Sequence, residues 1–290
     1  MTVLHPVSSL PLRDPAGHRI GDILIEQGKL SNDDADRVSR IQPDKNARFG
    51  EVARELGLVS EKDIEFALAR QFSYPYLAPG ESRLSPTLVA AYEPFSDQAE
   101  TLRAVRNQLA RNWFNAGRKA IAVVSCGPEE GTSTFAGNLA IAFAQSNERT
   151  LLIDANLRSP TQHTLFHTNG NQGLSDMLSG RRLTDQLMSV PPFDKLFILP
   201  AGTIPPNPQE LLRHLNFGVL HERLSSQFDV ILLDVPSLAL HEDGLIVAAC
   251  CGGALLVVRK NATRMADVTH GMRQLKRAGI ALAGYVMVDF

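Results

Sequence analysis

Between Ile121 and Ala144 the chain passes from an unbroken apolar run, Ile121-Ala-Val-Val124, through Ser-Cys-Gly-Pro-Glu-Glu-Gly-Thr-Ser-Thr (125–134) into an apolar helical pattern, Phe135 to Ala144. A buried strand that ends in a glycine-bearing turn and restarts as a helix is a building unit of α/β sheets, and this turn has the pattern of a phosphate-binding loop. Gly131 permits the tight turn. Main-chain N–H groups from Glu129 through Glu130 to Thr134 can face phosphate oxygens, and the following helix adds its positive end. Ser133 stands where a hydroxyl reaches magnesium. Thr132, however, occupies the place of the loop's lysine. A charged hydrogen bond of about 1.5–3 kcal/mol is thereby lost, and transition-state charge on the bridging oxygen goes unmet. Glu129 adds a negative group close to the phosphates. The same residues would also suit a loop kept for its fold alone.

From Ala120 onward, apolar runs alternate with helical patterns. Residues 121–124, 150–153, 196–199, 230–233, 254–258 and 282–288 read as strands, and 133–146, 208–226, 242–249 and 263–278 as helices. Unbroken apolar strands flanked by helices predict an α/β fold with a mainly parallel sheet covered on both sides. Such folds bind ligands beyond the carboxyl ends of their strands. Two further motifs fall at those ends. In Leu151-Leu-Ile-Asp154-Ala-Asn156-Leu-Arg158, Asp154 can hold magnesium directly or through water, while the neutral Asn156 cannot act as a base. Arg158 is placed to meet phosphate or an acidic neighbour. In Val230-Ile-Leu-Leu-Asp234-Val-Pro236, Asp234 is poised to orient a magnesium-bound water. An apolar run ending in Asp is a weak signal alone and a strong one in this order within one alternating fold.

Charge narrows the function classes. With 29 Lys and Arg against 31 Asp and Glu, the net charge is -2 and gives no electrostatic case for a nucleic-acid partner. No stretch approaches a membrane span and no secretion signal is legible, so a cytoplasmic protein without direct membrane insertion is expected. The 3 cysteines, Cys126, Cys250 and Cys251, lack ligand spacing and are expected as buried small side chains.

The first third repeats itself. Arg19-Ile-Gly21, Gly28, Leu30 and Gln42 recur 29 residues later as Arg48-Phe-Gly50, Gly57, Val59 and Gln71. Each copy predicts a short helix, a glycine turn, a polar cap and a second helix, and two such units can bury their apolar stripes together. The predicted organisation is a helical repeat domain at 1–77, a proline-rich linker at 78–95 and an α/β domain at 96–290. A short helix is expected near Leu88 to Tyr92. A charged helix follows from Ser96 to Trp113, with Glu100, Arg103 and Arg106 on one face as a surface ion-pair ladder or a subunit contact. Arg19 and Arg48, each beside a glycine (Gly21, Gly50), are either helix-start residues of a packing domain or paired anion contacts.

The repeat resembles the N-terminal domain of type II secretion and pilus assembly ATPases, whose tandem version binds cyclic di-GMP; that resemblance implies cyclic di-GMP contacts at Arg19, Gly21, Arg48 and Gly50. Residues 95–290 resemble bacterial tyrosine kinases of the exopolysaccharide chain-length-determinant class, in particular a cytoplasmic, exosortase-associated form. The likeness rests on the three motifs and on Gln162-His163, Gly173-Leu-Ser-Asp176, Pro200-Ala-Gly202 and Pro205-Pro-Asn-Pro-Gln-Glu-Leu-Leu212. It implies a P-loop NTPase fold shared with partitioning and septum-placement ATPases, ATP and Mg2+ as cofactors, and autophosphorylation on C-terminal tyrosines. It further implies a membrane-bound chain-length partner that recruits the protein to the inner membrane, and self-association through Glu100, Arg103 and Arg106. Ser133, Asp154 and Asp234 inherit magnesium or water-positioning roles, and Arg158 a structural or phosphate role. Departures are Thr132 for lysine, Asn156 for a second aspartate, Asp289 for an asparagine near the base, and Tyr285 as the lone C-terminal tyrosine, expected to be buried. They imply a weakened or inactive kinase, for which a regulatory subunit is the competing reading. A positioning ATPase is a third reading, disfavoured because Gly127 stands where that class carries an extra lysine.

Overall fold

The computed structural model describes residues 19–72, 74–77, 82–180, 187–213 and 223–289. They divide into two compact units that meet between Tyr74 and Pro75 in the sequence.

The first unit is a pair of helical hairpins: α1 (Ile20–Glu26) and α2 (Asn32–Lys45), then α3 (Phe49–Glu55) and α4 (Glu61–Gln71). Its core is Ile23, Leu24, Leu30 and Val38 with Val52, Ala53, Val59 and Ala67. Each residue of the first set has its counterpart in the second at the repeat spacing, so the repeat is one of packing. Gly28 and Gly57 both end their helices with φ +68, a conformation that costs other residues a Cβ clash. Ser31 and Ser60 cap α2 and α4 by accepting from the N–H of Asp34 and Asp63.

The second unit holds a seven-stranded sheet ordered β3-β4-β2-β5-β1-β6-β7. Its strands are β1 (Ala120–Ser125), β2 (Thr150–Asp154), β3 (Met188–Val190), β4 (Phe193–Leu199), β5 (Val230–Asp234), β6 (Gly253–Arg259) and β7 (Ala281–Val288). All pairings are parallel except β3 with β4. β1, β2 and β5 are buried along their whole length, as their apolar runs demand. On one face Ile121 and Val123 pack with α5 (Val89–Tyr92), α6 (Asp97–Asn112) and α7 (Thr132–Gln145). On the other, Ala122 and Val124 pack with α11 (Asp243–Cys251) and α12 (Met265–Arg277). Three short helices, α8 (Gln162–Leu165), α9 (Leu174–Leu178) and α10 (Pro208–Arg213), fill the connections. A Cβ on Gly253 would stand 1.9 Å from the Trp113 ring, so only glycine lets that indole reach the sheet and donate to the carbonyl of Ala120.

Several expectations are corrected. The described part of the stretch read as a linker, from residue 82 on, packs into the second unit: Leu84, Leu88, Ala90 and Ala91 are core residues, as is Leu77 just before it. Two polar side chains of α7 fasten it. Asn138 accepts from the N–H of Ala90 and donates to the carbonyl of Thr87, while Gln145 donates to the carbonyls of Pro75 and Ala90. Cys250 is exposed, although Cys126 and Cys251 are buried as expected. Tyr285 is 70% exposed. It lies on edge strand β7, beyond an irregularity in the pairing between Ala254 and Leu255, and only one neighbouring strand shields it. The helix expected over 208–226 is seen at Pro208–Arg213; residues 214–222 lie outside the described residues. Among the described residues, no helix is long and apolar enough to cross a membrane.

Candidate functional site

The site forms where β1, β2 and β5 end side by side. β1 leaves the sheet at Ser125, and the chain turns through Glu129 (φ 57) and Gly131 (φ 77) before α7 starts at Thr132. The N–H groups of the first helical turn have no partner within the helix and open toward the strand ends. Glu130, expected to offer its main-chain N–H, turns its side chain inward: the buried carboxylate accepts from the N–H of Cys126 (3.1 Å) and from the Thr263 hydroxyl (2.7 Å). Its side chain therefore braces the loop from below. Arg259 adds a second brace, donating to the carbonyl of Glu129 at 3.0 Å. Cys126, buried, takes the position that the loop pattern gives to its first glycine. Thr132 is buried at the head of α7. Its single-carbon stem cannot carry a polar atom as far as a lysine would.

Asp154 and Asp234 are register partners on adjacent strands, and both are fully buried. Asp154 Oδ1 accepts from the N–H of Asn156 (3.2 Å) and Oδ2 from those of Thr161 and Gln162 (2.9 Å each). Asp234 Oδ2 accepts from Gln162 Nε2 at 2.8 Å, while Oδ1 is buried with no partner. Burial pushes the Asp154 carboxyl well above the usual range and the Asp234 charge pushes it further, against the three N–H bonds. Burial likewise raises Asp234, opposed by the Gln162 amide and by the Ser133 hydroxyl, which lies near the carboxylate but outside hydrogen-bond geometry. Two carboxyl groups raised in this way tend to keep a proton until a cation displaces it.

The donor set suits a small hard cation. Ser133, Asp154 and Asp234 offer only oxygen, and the orphaned Asp234 Oδ1 is an acceptor still to be satisfied. Among the described residues no group of three or more His, Cys, Asp or Glu could hold a metal by itself. A cation here would thus be completed by Ser133, phosphate oxygens and water.

Other expected residues take local roles. Asn156 accepts from the N–H of Ser159 at 3.1 Å and so closes a turn. Arg158 faces an acidic neighbour: Nε donates to Asp243 Oδ2 at 2.6 Å and Nη2 to Oδ1 at 3.4 Å. Asp243, buried at the start of α11, was not legible as its partner because the pair lies far apart in sequence. Gln162, the residue touching both aspartates, belongs in the sequence only to the Gln162-His163 run of the family resemblance; nothing local marks it as a site residue.

Of the charged row on α6, Arg103 donates to the carbonyl of Pro94 and to Glu100 Oε1, and Arg106 Nη1 donates to the carbonyl of Ala142 at 3.0 Å. Both arginines thus bind within their own subunit, and Glu100 is the exposed member. In the first unit, Arg19 and Arg48 are exposed residues just before α1 and α3, with main-chain N–H groups bonded to Asp22 and Glu51. Gly21 and Gly50 have a packing reason: a Cβ on either would press within 3.1 Å of Phe49 or Ile64.

No family model matches the chain. Individual relatives do. It is 31% identical over 206 residues to the tyrosine-protein kinase YwqD of Bacillus subtilis, covering 71% of this chain and 87% of that protein. To the tyrosine-protein kinase CpsD of Streptococcus agalactiae it is 30% identical, over 66% of this chain and 84% of the relative. To the tyrosine-protein kinase wzc of Salmonella typhimurium it is 30% identical over 69% of this chain but spans only 28% of that longer protein. Among solved structures, the kinase domain of Escherichia coli tyrosine kinase ETK superposes with a TM-score of 0.68 at 26% identity, covering 75% of this chain and 85% of that one. The chimerical protein CapA2B2 gives 0.66 at 29%, over 79% and 98%. A septum site-determining protein MinD from Pyrococcus horikoshii, complexed with Mg-ADP, shares the fold at a TM-score of 0.50 and 24% identity, over 59% of this chain and 70% of that one. With its phosphate loop, its paired strand-end aspartates and near-complete coverage of shorter relatives such as YwqD, the chain belongs to the family of bacterial tyrosine-protein kinases associated with capsule and exopolysaccharide synthesis.

Proposed function

We propose that the protein regulates exopolysaccharide chain length as a nucleotide-binding member of this family whose phosphate loop has lost most of its catalytic power. The observation that carries this reading is the buried Asp154 and Asp234 pair, set against the first turn of α7 with Asp234 Oδ1 unsatisfied. In this reading the amides of 129–134 and the α7 N-terminus bind the phosphates of ATP or ADP. The Ser133 hydroxyl, Asp154 and Asp234 hold Mg2+, which supplies charge neutralisation at the phosphates. Asp234 also orients water. Thr132 leaves the bridging oxygen without a cation, so binding is weakened and transfer weakened further.

An active autokinase needs an acceptor, and Tyr285 is the exposed one of the four tyrosines; Tyr74, Tyr76 and Tyr92 are half-buried. The test is phosphotyrosine formation by the purified chain with Mg-ATP. The reading expects little or none from the wild type and a gain in Thr132→Lys/Asn156→Asp that Tyr285→Phe removes. Strong phosphotyrosine formation by the wild type alone would overturn it.

The membrane-bound chain-length protein and recruitment to the inner membrane are part of the proposal, supported by the family relationship. Self-association through α6 would rest first on Glu100, since Arg103 and Arg106 must exchange their internal carbonyl partners to reach another subunit. For the repeat unit, the exposed Arg19 and Arg48 favour cyclic di-GMP as the ligand, with guanidinium forks on its phosphates. Titration with cyclic di-GMP should give binding that Arg48→Ala removes; equal weak binding by both proteins would leave the unit as a packing domain.

A further inference from the structure

Gln162 is fully buried, and all three of its N–H donors are committed. Its main-chain N–H donates to Asp154 Oδ2 at 2.9 Å; its Nε2 donates to Asp234 Oδ2 at 2.8 Å and to the carbonyl of Ser133 at 3.0 Å. The amide can sit only this way round. Exchanging its oxygen and nitrogen would set Oε1 against a carboxylate and a carbonyl, two acceptors. Correctly turned, Oε1 is buried with no partner, 3.5 Å from where a Cβ on Gly137 would stand. A buried unpaired acceptor is unfavourable, and an apolar side chain of similar volume would avoid it. The arrangement is therefore held by what Nε2 does. Both of that nitrogen's hydrogens go to the site: one to the carboxylate on β5, the other to the main chain of Ser133 on α7. The same residue holds the β2 carboxylate from behind.

We propose that Gln162 is a positioning residue of the cation site. By fastening Oδ2 of Asp154 and of Asp234 at once, it fixes the separation of the two carboxylates and leaves Asp234 Oδ1 as the acceptor offered to the divalent cation. Its second bond, to Ser133, ties that carboxylate to the residue whose hydroxyl completes the site. Partners that orient a metal ligand in this way are worth about 10- to 100-fold in metal affinity. The inference rests on the Mg-nucleotide reading above.

The test uses the full chain and Mn2+ as the probe, with saturating ADP, bound and free Mn2+ being separated by electron paramagnetic resonance. Gln162→Met keeps the volume and removes the amide. The expected result is Mn2+ binding weakened about 10- to 100-fold in a variant that still folds and still binds metal-free ADP, its melting lowered because Asp234 and the Ser133 carbonyl lose their donor. Equal Mn2+ affinity in the folded variant overturns the inference while leaving the nucleotide reading intact. A wild type that takes up no Mn2+ with ADP overturns both. A second measurement needs no variant: the side-chain amide resonances of Gln162 in the wild-type protein should move when Mg2+ is added to the ADP complex. Resonances that stay in place overturn the inference whatever the variant does.

Discussion

Replacing Arg158 by leucine is a direct probe of how the loop after β2 is held. Asp243 keeps only 2% of its side-chain surface exposed and Arg158 33%, with both carboxylate oxygens in reach of the guanidinium. Removing one partner of a buried pair leaves an uncompensated charge and typically costs about 3–5 kcal/mol. Because the guanidinium is one-third open to water, the lower end applies to Arg158→Leu, about 3 kcal/mol. Asp243→Asn should cost less, about 1 kcal/mol, since the remaining guanidinium can hydrate while the amide still accepts one hydrogen bond. In a unit of this size each kcal/mol lowers the melting temperature by about 2–4 °C, so Arg158→Leu should melt about 6–12 °C lower. The double variant should recover part of that loss, giving a coupling of about 1–3 kcal/mol in the cycle. Calorimetry reads the cycle as shifts in melting temperature. Additive effects, or a loss below about 1 kcal/mol for Arg158→Leu, would refute the pairing as the reason for Arg158. A large loss of ADP affinity in Arg158→Leu that Asp243→Asn does not share would instead place the guanidinium on phosphate.

The paired aspartates make stability depend on pH with a defined sign. Their folded-state pKa values are raised above the ordinary carboxylate value, Asp154 to about 8, so the folded chain holds more protons than the unfolded one across that window. Without divalent cation, the second unit should lose stability as pH rises from about 5 to about 8; Asp154→Asn should flatten that slope, and a flat profile in the wild type would contradict the shifts. At the start of β6, Gly253→Ala would bring a methyl into the Trp113 ring and should cost about 2 kcal/mol or more by overpacking, read as lowered thermal stability with the Trp113 fluorescence shifted to the red. An unchanged melting temperature would mean that the indole has room to retreat.

The parts of the fold that could be read from sequence are those in which each residue reports its own environment. The strands β1, β2 and β5 are apolar because both of their faces are covered, and each ends in a polar residue that is itself buried: Ser125, Asp154 and Asp234. The hairpin repeat is legible for the same reason, since Ile23 and Val52, or Leu30 and Val59, perform one packing task twice. What escaped depends on partners distant in the chain. Gln162 gains its meaning from Asp234, 72 residues on, and Arg158 from Asp243, 85 residues on. The segment from Pro75 to Tyr92 carries the composition of a linker, yet Asn138 and Gln145 bond the main chain of Pro75, Thr87 and Ala90. Nothing in the sequence tells where the Glu130 side chain goes, and only the Thr263 hydroxyl beneath it shows that it turns inward. Tyr285 sits in a run apolar enough for a buried strand, but β7 has a neighbour on one side only.

The central claim is that a functional nucleotide site survives here without its lysine. Isothermal titration of Mg-ADP into the wild type and into Thr132→Lys tests it most directly. Measurable binding by the wild type is expected, with a gain of about 10- to 100-fold in the variant, the equivalent of one restored charged hydrogen bond. No binding by the wild type, or equal affinity in the two proteins, would contradict it.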